Sequence, residues 1–96
     1  MVASLTPLPV IGIPVSLKNL EGVDSLYSMC QMPAGVPVAT VAINNSVNAA
    51  LLAIRILGTS KCEAMKSIQN FQNDQQEIVI EKSKKLVEIG WKSYPY

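Results

Sequence analysis

Residues 36–43 read VPVATVAI and residues 8–15 read LPVIGIPV, and these two stretches decide the fold. Each is a continuous apolar run, without the alternation of a half-exposed strand, which is the pattern of a strand covered on both faces in a parallel sheet. Pro9, Pro14 and Pro37 fall near the ends of the runs, where a missing ladder hydrogen bond is best tolerated. The valines, Thr40 and Ile43 add strand preference to the second run. Between the runs, Asp24 is placed to cap a helix over Ser25 to Met32, with Leu26, Met29 and Cys30 at helical spacing and Pro33 and Gly35 closing the turn. A connection of this length that contains a helix suits a parallel crossover. The expected class is α/β.

After Ile43, the polar cluster Asn44, Asn45, Ser46 offers N-cap oxygens to a helix SVNAALLAIRIL that stops at Gly58. That helix has almost no polar face, so burial nearly all round is expected. From Ser60 to Trp91 the chain turns to Lys, Glu, Gln and Asn, while Ala64, Ile68, Phe71, Ile78, Leu86 and Ile89 keep to one helical stripe. A helix of this length would run about 45 Å, past the roughly 13 Å radius of gyration of a domain this small. It is expected to pack on a neighbouring subunit. A sustained coiled coil is disfavoured by Gln75 and Lys82 in its seam. The organisation expected is a βαβα part over residues 1–60 and a long amphipathic helix with its tail over residues 61–96.

Charge is distributed in the same two parts. Residues 1–60 carry only Lys18, Glu21, Asp24 and Arg55, while the other eleven charges follow Ser60. An element facing water normally shows a polar stripe, so the faces of the first part call for cover from another polypeptide or from copies of the chain itself. The 96 residues are 49% hydrophobic with a net charge of +1, which excludes a disordered chain and a nucleic-acid-coating one. The prolines and the lack of a basic start exclude a signal peptide or spanning helix in MVASLTPLPVIGIPV. In the apolar run from Val36 to Leu57, three asparagines, Pro37 and Arg55 exclude a span. No membrane partner is expected.

The chain has no histidine, and its two cysteines, Cys30 and Cys62, lie far apart in sequence. This removes histidine-based acid–base chemistry, and the cysteines read as reduced thiols in an intracellular protein. In an open parallel sheet a ligand crevice lies beyond the carboxyl ends of the strands, at Val15-Ser16 and Ile43-Asn44. Helix N-termini there offer amides to a phosphate, with Lys18 or Ser46 assisting, but no glycine-rich phosphate loop is present; Asn44, Asn45 and Ser46 read equally as caps. Asp24 reads as a cap before it reads as a general base. Gln31-Met32-Pro33-Ala34-Gly35 suits either a polar recognition loop or an ordinary helix-to-strand turn. Met29 and Met32 read as packing side chains.

The strings TPLPVIGIPV, GVDSLYSMCQMPAGVPVATVAI and NAALLAIRIL, spanning about Met1 to Leu57, resemble the mutase-type catalytic domain of the phosphoribosylaminoimidazole carboxylase family. The tail KKLVEIGWKSYPY resembles the version found in plants and fungi, where this domain is fused behind an ATP-dependent carboxylase portion. The resemblance implies a flavodoxin-like three-layer sandwich, assembled as an octamer with active sites at subunit boundaries. It implies carboxylation of 5-aminoimidazole ribonucleotide, from carboxyaminoimidazole ribonucleotide or carbon dioxide, in de novo purine (IMP) biosynthesis. No metal or organic cofactor is implied, and the compartment is cytoplasm or plastid.

Three motifs of the family are absent: a Gly-Ser-x-Ser-Asp phosphate loop, a Ser-Ala-His-Arg segment with the catalytic histidine, and an Ala-His-Leu-Pro-Gly turn. The chain therefore resembles the C-terminal half of the catalytic domain, inactive alone and without a catalytic residue of its own. The carry-over is confined to Gln31, Met32 and Pro33, to which the resemblance assigns substrate contact at a subunit boundary. The alternative is a truncated, non-enzymatic self-association module.

Overall fold

A computed structural model describes residues 1–95. Its contacts separate residues 1–56 from those beginning at Leu57, and each unit is described by itself.

The first unit is built on two parallel strands, β1 (Ile11–Gly12) and β2 (Ala39–Thr40), with Ile11 opposite Ala39 and Gly12 opposite Thr40. The class and the parallel sense agree with the expectation, but the strands are far shorter than the eight-residue apolar runs. Proline is the physical reason: Pro9, Pro14 and Pro37 have no N–H to place in the ladder. Hydrogen bonds nevertheless carry the pairing further than the strands. The amides of Ala39 and Val41 donate to the carbonyls of Val10 and Gly12 at 3.0 and 3.2 Å, and Asn44 N–H donates to Pro14 O at 2.8 Å.

Helix α1 (Val23–Cys30) makes the crossover. It starts two residues before the expected Ser25, and its N-cap is Gly22, not Asp24. Gly22 sits at φ +89°, a left-handed conformation that glycine reaches without steric cost, so the helix begins where the backbone can turn into it. Asp24 falls inside the first turn, where a carboxylate complements the helix dipole. The helix ends at Cys30, short of the expected Met32, because the residue before a proline avoids helical dihedrals. A turn closed by Val36 N–H to Pro33 O at 3.1 Å, with Gly35 at φ +92°, then leads into β2.

Helix α2 (Ser46–Gly58) follows β2 directly. Asn45 caps it, its Oδ1 accepting the Asn48 amide at 3.0 Å. Burial nearly all round is not what the chain achieves by itself. Ala49 is buried, but Val47 is 64% and Leu57 50% exposed. A two-stranded sheet is too narrow to cover such a helix.

In the second unit, Ser60 and Lys61 both donate to the Leu57 carbonyl, and the turn opens into α3 (Cys62–Ile89), 28 residues long. At 1.5 Å per residue that is about 42 Å. The helix begins and ends two residues inside the expected Ser60 to Trp91, stopped by Gly90 at φ +75°. Ile68 is its only buried side chain among the described residues, and Phe71, Ile78, Leu86 and Ile89 of the apolar stripe stay exposed.

Candidate functional site

Three segments meet where the strands end. Asn44 adopts φ +59°, a left-handed conformation that asparagine tolerates better than most residues. Its main-chain N–H reaches Pro14 O, and its Oδ1 accepts the Ser16 amide at 3.0 Å. Asn44 is thus a staple across the two strand exits, while its neighbour Asn45 serves the helix. Gly22 closes the third side: a Cβ there would lie 2.8 Å from Ile43 Cγ2 and 3.1 Å from Ser16 Cα. Two residues before it also turn left-handed, Leu20 at φ +58° and Glu21 at φ +52°. Such dihedrals in a leucine are strained and hold only where the surroundings impose them.

Beyond the strand ends, where a ligand crevice was expected, Ser16, Gly22, Ile43 and Asn44 form a closely packed junction. Lys18, Glu21 and Asp24 are exposed. The cap reading of the asparagine cluster holds for Asn45, and the amide of Asn48 that a phosphate would need is already taken by it.

Gln31, Met32 and Pro33 lie elsewhere. They follow α1 and precede β2, which puts them at the amino ends of the strands, opposite the Ser16–Asn44 junction. Gln31 and Pro33 are exposed and Met32 is half-buried. The Gln31 amide donates to Tyr27 O at 2.9 Å, which finishes α1 and fixes where the loop departs. The chain does not bring these residues together with Lys18 or Ser46.

Met29 packs as expected: a Cβ on Gly12 would come within 2.9 Å of its sulfur and 3.2 Å of Val38 Cγ1, so α1 sits directly on bare backbone of β1. Cys30 and Cys62 are free and exposed. Among the described residues no three His, Cys, Asp or Glu side chains gather as a metal site, and no helix is long and apolar enough to cross a membrane.

Two features went unread in the sequence. The Thr40 hydroxyl, on β2 opposite Gly12, is buried without a hydrogen-bond partner. On α2, Asn48, Leu51, Leu52 and Arg55 line an open groove of about 250 Å³. The spacing of those four residues was a signal available in advance.

Comparison with known proteins gives this arrangement its relatives. The family model described as AIR carboxylase matches residues 1–78, both strands and all of α1 and α2 included. Phosphoribosylaminoimidazole carboxylase of Schizosaccharomyces pombe is 57% identical over 94 residues, which are 98% of this chain and 17% of that protein. The chloroplastic phosphoribosylaminoimidazole carboxylase of Vigna aconitifolia is 54% identical over the same share of the chain. N5-carboxyaminoimidazole ribonucleotide mutase of Pyrococcus horikoshii is 53% identical over 98% of the chain and 53% of its own length. The chain spans about half the length of such a mutase and about one sixth of the fungal and plant carboxylases. The likeness to these relatives covers nearly the whole chain, α3 included, and with a family model covering most of its residues the chain belongs to the AIR carboxylase family.

Proposed function

We propose that the chain forms part of an enzyme that places a carboxyl group on the ring carbon of 5-aminoimidazole ribonucleotide in purine biosynthesis. The observation that carries this reading is the family match over residues 1–78, with relatives named for carboxylase and mutase activities. In the mutase direction the carbamate C–N bond breaks, a C–C bond forms at the ring carbon, that carbon loses a proton and the exocyclic nitrogen gains one. The reaction is a net isomerisation and needs a group that takes and returns a proton near neutral pH. With no histidine, this chain does not supply it. Its part is to complete the scaffold, a flavodoxin-like three-layer sandwich extending the β1–β2 pair, and to present Gln31, Met32 and Pro33 to a site shared with a neighbouring copy. Assembly as an octamer, in cytoplasm or plastid, belongs to the same reading.

The test follows conversion of N5-carboxyaminoimidazole ribonucleotide by the purified chain, alone and mixed with the histidine-bearing half of a mutase relative. No turnover by the chain alone and turnover by the mixture is the expected result. Turnover by the chain alone overturns the scaffold role. Exposure of the α2 and α3 apolar residues favours a second reading, a non-enzymatic self-association module, which predicts an inactive mixture.

A further inference from the structure

No further inference is drawn: the strongest candidate, the loop from Ser16 to Gly22 that leaves β1 with Leu20 and Glu21 left-handed and exposed, carries nothing because nothing in the structure shows what covers it.

Discussion

The amide of Ser16 donates to Asn44 Oδ1 across 3.0 Å, joining two positions 28 residues apart in the chain. Because Asn44 also donates its own amide to Pro14, one left-handed residue holds both strand exits together. Asn44→Ala loses the side-chain bond and places alanine at φ +59°, so a loss of about 2 kcal/mol is expected. Asn44→Gly keeps the conformation and loses only the bond, so about half that loss is expected. Urea unfolding of the two variants checks the order, and equal losses would remove the conformational part of the account.

Gly22 and Gly35 share a positive φ but not a neighbourhood. Around Gly35 a Cβ would meet nothing within 4 Å, whereas at Gly22 it would press on Ile43 and the Ser16 backbone. Gly35→Ala is expected to cost about 1 kcal/mol, the conformational penalty alone. Gly22→Ala adds overpacking, for a total of about 3 kcal/mol. Thermal melting of both variants decides: a Gly35→Ala variant as damaged as Gly22→Ala contradicts the packing described.

Leu51→Asp puts a carboxylate at the centre of the α2 groove. Leu51 is half-buried in the single chain, so the main effect falls on association, where an unpaired charge between leucines costs several kcal/mol. Loss of the oligomer by sedimentation, with helix content retained, is the expected outcome. A variant with unchanged mass and melting temperature would show that the groove faces water.

Gln31→Ala removes an exposed carboxamide from the loop before β2 while leaving the backbone bond to Tyr27 in place. Stability should change by less than about 0.5 kcal/mol, as for other surface substitutions. In a mixture with the histidine-bearing half, KM for the ribonucleotide is expected to rise severalfold. Unchanged kinetics would remove Gln31 from substrate contact.

Much of this protein was decided locally. Two continuous apolar runs, a crossover with helical spacing and a change of composition after Ser60 determine an α/β unit, a parallel strand pair and a long polar helix. Each of these is a statement about neighbours in the chain, which periodicity records. The motifs around DSL and QMP carried the family for the same reason, being contiguous in sequence.

What the tertiary structure decided concerns residues distant in sequence. The prolines were visible, yet how little regular pairing they leave depends on which carbonyls face the partner strand. The start of α1 moved to Gly22 because its left-handed φ is imposed where Ser16 and Ile43 close in, a contact that spacing does not record. Asn44 and Asn45 look alike in sequence, and only their positions against β1 and α2 made one a staple and the other a cap. Likewise, the strand direction places Gln31, Met32 and Pro33 at the opposite end of the sheet from the Ser16–Asn44 junction, because two parallel strands send every loop that enters them to one end and every loop that leaves them to the other.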